Sequence, residues 1–237
     1  MYDLITEGLH DFMLTRSFIL KSLLCSFSII SLTVAALTYN KSSAVPSHAA
    51  TEISTSETVG KQTAVLSGGC FWGMEAVFEH LKGVSNVVSG FSGGNAATAN
   101  YETVSSGTTG HAESVKITYD PSQISYSQLL KVYFLVAHNP TELNEQGPDT
   151  GTQYRSAIFF ANDQQKQVAQ TYIDQLNKEH VFPKPIVTQL VPLKGFYKAE
   201  EYHQHFIDRN PMYPYVVVND LPKLAQLQVQ FPKIYKK

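Results

Sequence analysis

The sequence predicts an α+β fold: a two-layer α/β sandwich around a central mixed sheet, ferredoxin-like, followed by an irregular C-terminal tail. Three observations predict it. Short apolar or alternating runs interleave with stretches whose apolar residues recur at helical spacing. The connections are uneven, from tight glycine turns to a long loop at His138–Thr152, which suits one two-layer domain. Prolines at positions 214, 222 and 232 punctuate the last residues.

Taken in order, Thr63–Ser67 is a short apolar run that exits at Gly68-Gly69 and reads as a buried strand. Phe71, Met74, Val77, Phe78 and Leu81 follow at helical spacing, and Gly83 closes that helix; Glu75, Glu79 and Lys82 lie off its apolar stripe. Val84–Gly90 predicts a strand. Phe91–Gly110 is rich in Gly, Ser, Thr and Asn and reads mostly as loop. Val115, Ile117 and Tyr119 alternate with polar residues, so Ser114–Tyr119 is a half-buried strand that ends at Asp120-Pro121. Ser125 and Gln128 form a capping box for a helix to about Ala137. Tyr154–Ala161 is an apolar strand, Asp163 caps a helix to about His180, and Ile186–Leu193 is another strand. Ala199–Arg209 is a short helix stopped by Asn210-Pro211.

Composition narrows the function. The chain has 237 residues, 18 Lys+Arg against 20 Asp+Glu, and a net charge of -2, with no basic cluster to neutralise phosphates. That argues against nucleic-acid binding. Two cysteines, Cys25 and Cys70, cannot build a disulfide scaffold or a cysteine zinc site. No internal repeat, dinucleotide fingerprint or phosphate-loop motif is present. His111, His138, His203 and His205 have no carboxylate or cysteine at ligand spacing, so no metal is expected and they read as structural.

Residues 1–50 read as an export signal. Arg16 and Lys21 precede an apolar run at 22–39, and small residues follow, with Ser47-His48-Ala49 and His48-Ala49-Ala50 as cleavage contexts. Residues 1–12 are acidic and lack Lys or Arg, so Met13 is the better start of the signal. The expected location is periplasmic or otherwise extracytoplasmic. An uncleaved membrane anchor through residues 22–39 is the alternative. Cys25 falls inside this run, and Leu24 stands where a lipoprotein site needs a small residue. Residues 51–61 read as a disordered linker and 62–237 as the functional domain with its tail.

The most informative stretch is Gly68-Gly69-Cys70-Phe71-Trp72-Gly73. It puts Cys70 where a strand exits into a helix. Unpaired amides and the helix dipole there favour negative charge, and so favour a thiolate. Phe71 and Trp72 supply an apolar wall. Position alone leaves a buried structural cysteine as an open alternative.

Four segments change the balance: Gly69–Gly73; Gly107-Thr108-Thr109-Gly110-His111-Ala112-Glu113; Gly147–Ser156 with Asp149 and Thr152-Gln153-Tyr154-Arg155; and Tyr202-His203-Gln204. Together, and in this order, they resemble the methionine sulfoxide reductase A family, over roughly Lys61 to the C-terminus. The resemblance implies that Cys70 is the nucleophile and that Phe71 and Trp72 hold the S-methyl group of the substrate. It implies that Glu113 protonates the sulfoxide oxygen, and that Tyr101 and Tyr154 aim their hydroxyls at it. Asp149 matches an aspartate that orders the hydrogen-bond network. The implied activity is reduction of the S epimer of methionine sulfoxide in peptides and proteins, and of the free amino acid, with no bound cofactor.

The chemistry asks for these residue types. A sulfoxide sulfur is a poor electrophile until its oxygen is protonated, so reduction needs a soft nucleophile and a proton donor. Phenolic donors stabilise the developing charge. The product side is methionine and a Cys70 sulfenic acid. Many relatives carry further cysteines that resolve this species as a disulfide; residues 71–237 here carry none. The expectation is a one-cysteine enzyme, monomeric, recycled by an external thiol: glutathione, a glutaredoxin or a thioredoxin. Two other classes stay open on residue types: a different thiol enzyme such as a peroxidase or acyl-transferase, and a non-catalytic binder of oxidised methionine. Arg155 is expected in a structural salt bridge.

Overall fold

The structure, a computed structural model, describes residues 60–237. The export signal or anchor at 1–50, the start at Met13, Cys25 and most of the 51–61 linker therefore lie outside the described residues. The elements are β1 (Gln62–Ser67), α1 (Phe71–Glu79), β2 (Val84–Ser92), α2 (Tyr101–Val104), β3 (Ala112–Tyr119) and α3 (Tyr126–Val132), which widens into a π turn at Tyr133–Ala137. A two-stranded ribbon of β4 (Glu145–Gln146) and β5 (Asp149–Thr150) follows, then β6 (Ala157–Phe160) and α4 (Asp163–Lys178). The chain continues through β7 (Gln189–Pro192), β8 (Phe196–Lys198), α5 (Phe206–Arg209) and α6 (Leu221–Gln230).

One six-stranded mixed sheet runs β7-β6-β1-β3-β2-β8. All neighbours pair antiparallel except β6 and β7, which are parallel. Alternation along β1 sorts its side chains. Ala64 and Leu66 join Val115 and Ile117 in the main core under α1, α3 and α4, while Val65 joins Ala112, Ala157 and Phe159 on the other face. The helices thus gather on one face of the sheet.

Local signals hold where the chemistry is local. Ser125 and Gln128 make the predicted reciprocal capping box on α3. Helix α4 is capped one residue early: Asn162 accepts the Gln165 amide at 2.9 Å, and Asp163 is the first helical residue. Helix α1 ends at Glu79 rather than Leu81. The glycine-rich 91–110 stretch contains the short α2, whose cap is Asn100 accepting from the Thr103 amide. Tyr154 belongs to a 3-10 turn at Thr152–Tyr154, and the strand after it starts at Ala157.

Three expectations are corrected. The single helix over Ala199–Arg209 is split, with His205 at φ +49 between a 3-10 turn and α5. Its amide is drawn to Glu75 Oε2 at 2.9 Å instead of continuing a helix. Arg155 has no carboxylate partner among the described residues; it donates to the carbonyls of Gly110, His111 and Thr152. The tail is not irregular: a π turn at Val216–Asp220 runs into α6. Pro222 sits in the first turn of α6, where a missing N–H costs nothing, and Pro232 follows its end. The tail then docks on α1: Lys82 N–H donates to Ile234 O at 2.7 Å and Lys236 N–H to His80 O at 2.9 Å. Leu227 is fully buried in the main core.

Candidate active site

The turn from β1 into α1 depends on Gly69. It sits at φ +89, and a Cβ there would stand 2.8 Å from the Gln146 side chain. Its amide donates to Tyr154 O at 3.1 Å, which ties the Tyr154 segment to the turn. Cys70 is then the N-cap residue of α1, almost fully buried.

Glu113 is on β3, next to β2 in the sheet, and 3% exposed. Phe71 N–H donates to Glu113 Oε2 at 3.0 Å. Strand and helix start therefore meet across the first amide after Cys70. Burial pushes the Glu113 carboxyl up to about 8; the Phe71 amide opposes this and Asp149 adds to it. Glu113 is thus neutral, and able to donate a proton, at pH 7.

A cavity of about 190 Å³ opens here, lined by Cys70, Phe71, Trp72, Tyr101, Glu113, Asp149, Tyr154, Tyr213 and Tyr215. All seven residues singled out from the sequence line it, drawn from α1, α2, β3, β5 and a 3-10 turn. Burial raises Tyr101 and Tyr154, and nearby Glu113 raises both further, so both stay phenols at neutral pH.

Four residues at the site were not predicted from sequence. Tyr213 and Tyr215 come from the tail, and Tyr215 O–H donates to Asp149 Oδ2. His203, fully buried, accepts the Trp72 indole N–H on Nδ1 at 3.1 Å. Burial depresses His203 to about 4, so it is neutral. Phe206 stacks on Trp72 with ring centroids 3.7 Å apart. The sequence carried a hint only for His203, inside the Tyr202-His203-Gln204 segment. That segment is bolted to β2 by Gln204, which bonds both the amide and the carbonyl of Ser89 at 3.0 Å.

One electrostatic expectation is overturned. The helix start does not shift Cys70 toward thiolate. Burial pushes the thiol well above its ordinary value; Glu113 and Asp220 add to this and outweigh the Trp72 amide that favours the anion. Desolvation at a closed helix start exceeds what one turn of amides returns.

Of the other histidines, His111 and His138 are buried and hydrogen-bonded. His111 accepts from Gly94 N–H and donates to Asn95 O, and His138 bridges Tyr133 O and Ser156 Oγ. The sequence offers no metal set around His205, but the fold brings two α1 carboxylates to it. Glu75, Glu79 and His205 bring ligand-type atoms within 4.8 Å of one another. Here Glu79 Oε1 pairs with His205 Nδ1 at 2.7 Å, and Glu75 takes the His205 amide. Glu75, off the apolar stripe of α1, is nonetheless 1% exposed, and burial pushes it up to about 7.

The family model for peptide methionine sulfoxide reductase matches residues 62–234. The chain is 62% identical over 176 residues to the peptide methionine sulfoxide reductase MsrA 2 of Mesorhizobium japonicum, covering 74% of this chain and 90% of that protein. It is 55% identical over 172 residues to the enzyme of that name from Synechocystis, covering 73% and 80%. Among solved structures it is similar to reduced Mxr1 of Saccharomyces cerevisiae, with a TM-score of 0.60, 32% identity, and 67% and 91% of the two chains covered. Methionine sulfoxide reductase A of Corynebacterium diphtheriae gives a TM-score of 0.57 at 33% identity, covering 66% and 78%. Fold and site together define an oxidoreductase that acts on oxidised sulfur. The chain belongs to the peptide methionine sulfoxide reductase family, and its reaction is the reduction of methionine sulfoxide in protein repair.

Proposed function

We propose that Cys70 and Glu113 carry this reaction as nucleophile and acid, on the S epimer of methionine sulfoxide in peptides, in proteins and as the free amino acid. The observation that carries the reading is the hydrogen bond that the Phe71 N–H donates to Glu113 Oε2, which fixes a neutral carboxyl beside the one thiol in the cavity. The S-methyl group rests against Phe71 and Trp72, whose indole is held by His203 and Phe206. Tyr101 and Tyr154 hydrogen-bond the sulfoxide oxygen, and Asp149, held by Tyr215, orders the polar rim.

Cys70 sulfur gives its electron pair to the substrate sulfur while Glu113 protonates the oxygen. The substrate S–O bond breaks, the oxygen passes to Cys70 as sulfenic acid, and methionine leaves. The proton released by the thiol restores Glu113. An external thiol then attacks the sulfenic sulfur and releases water. A second thiol displaces the mixed disulfide and regenerates Cys70. Cys70 is the only cysteine among the described residues, which supports glutathione, a glutaredoxin or a thioredoxin as the donor, with no bound cofactor.

A monomer is the proposed state, and a dimer mass by sedimentation of the full chain refutes it. A ferredoxin-like core is supported by the order β6-β1-β3-β2, all antiparallel, with α1 after β1 and α3 after β3. Export, or anchoring through residues 22–39, is supported by Arg16, Lys21 and the apolar run. Cell fractionation with the full chain checks it, and recovery of the protein only with the cytosol refutes it.

The decisive assay is reduction of the separate epimers by dithiothreitol. Wild type is expected to reduce the S epimer, while Cys70→Ser and Glu113→Gln lose most or all activity. Full activity in Cys70→Ser overturns the reading.

A further inference from the structure

Asp220 is 0% exposed, at the point where the π turn at Val216–Asp220 enters α6. Its Oδ1 lies 3.3 Å from Lys223 Nζ, and the Lys223 side chain is mostly covered. Both groups rest on the bare backbone of Gly73. A Cβ there would stand 2.2 Å from Asp220 Oδ1 and 2.9 Å from Lys223 Nζ. Gly73 lies in the first turn of α1, the turn that Cys70 caps. The second carboxylate oxygen, Oδ2, is buried with no hydrogen-bond partner. Shape does not require such a group, because an apolar residue would fill this space without the desolvation cost.

The groups facing Cys70 come from several elements. Glu113 comes from β3, Asp149 from β5, Tyr101 from α2 and Tyr154 from a 3-10 turn. Tyr215 and Asp220 come from the tail. The Trp72 amide alone among the named contacts favours the anion. Asp220 itself faces Lys223, Asp149 and Tyr215. At pH 7 Glu113 is neutral, and Asp149 Oδ2 accepts the Tyr215 hydroxyl. Burial pushes the Asp220 carboxyl up and the Lys223 ammonium opposes this, so it is Lys223 that favours a charge behind the thiol, at the end of the helix where amides would otherwise favour an anion.

We propose that Asp220 is a positioning residue that keeps Cys70 a protonated thiol in the empty enzyme, with Lys223 holding Asp220 itself ionised against Gly73. Only a thiolate reacts readily with stray electrophiles. A thiol held protonated until substrate arrives is protected, and this matters where no second cysteine is at hand among the described residues.

The test is the pH dependence of Cys70 alkylation by iodoacetamide in the full chain, followed on the Cys70 peptide by mass spectrometry. Asp220→Asn is expected to move the alkylation midpoint to lower pH and to speed alkylation at pH 7.5 by about threefold or more. An unchanged midpoint, with wild-type circular dichroism and unfolding temperature, overturns the proposal. If that variant does not fold, carbon NMR of the Asp220 carboxyl in wild type decides. Its shift should change at the Cys70 titration midpoint, and that inflection should vanish in Cys70→Ser. A wild-type carboxyl signal with no such inflection overturns the proposal.

Discussion

The cavity has two walls built in opposite ways. One is the turn around Cys70, where a few consecutive residues supply the thiol, the aromatic face and the glycine that lets the chain bend. The other is the tail, where Tyr213 and Tyr215 line the cavity and Asp220 lies buried against Gly73 of α1, because α6 packs through Leu227 and Leu224 and the segment after it bonds through Ile234 to Lys82. The first wall is made by local sequence; the second is made by docking. The lesson is that the proposed nucleophile and its electrostatic environment come from different parts of the chain, so they fail in different ways when disturbed.

The sharpest contrast is at the first wall. Cys70→Ser should abolish sulfoxide reduction with little change in unfolding temperature, since the hydroxyl fits the same cap position. Glu113→Gln should lower kcat by about a hundredfold at pH 7. Because the Glu113 carboxyl is raised to about 8, wild type carries its proton below that pH and loses it above. Wild-type kcat/KM should therefore descend as pH rises through about 8, and the Gln variant should lack that limb. A Gln variant with the same descending limb assigns it to another group.

The tail should respond through stability. Leu227→Ala removes a fully buried side chain and should destabilise the domain by about 3 kcal/mol, read by denaturant unfolding. A single transition means tail and sheet form one cooperative unit; a separate early transition would show that the second wall folds on its own. Tyr215→Phe is the smallest change. It deletes the bond to Asp149, and about a tenfold loss in kcat/KM with unchanged stability is expected. No loss would reduce the tail wall to packing.

Much of this was legible beforehand, for reasons particular residues make clear. The strand at Thr63–Ser67, the Ser125 and Gln128 box and the cap position of Cys70 all rest on neighbours within four residues. The helix at Leu221–Gln230 is not legible in the sequence because Pro222 signals a break, although in a first turn it is compatible with a helix. Glu75 lies off the apolar stripe of its helix, yet it is buried because the chain folds His205 back onto it.

The sequence by itself determined the family and the residue types that meet in the cavity: one thiol, a glutamate and two of the tyrosines. Tertiary structure alone decided the charge state of that chemistry. Whether Cys70 rests as thiol or thiolate depends on desolvation and on Glu113, Asp149 and Asp220, which lie far from it in the chain. Electrostatic energy depends on distance and burial, and neither can be read from spacing along a sequence.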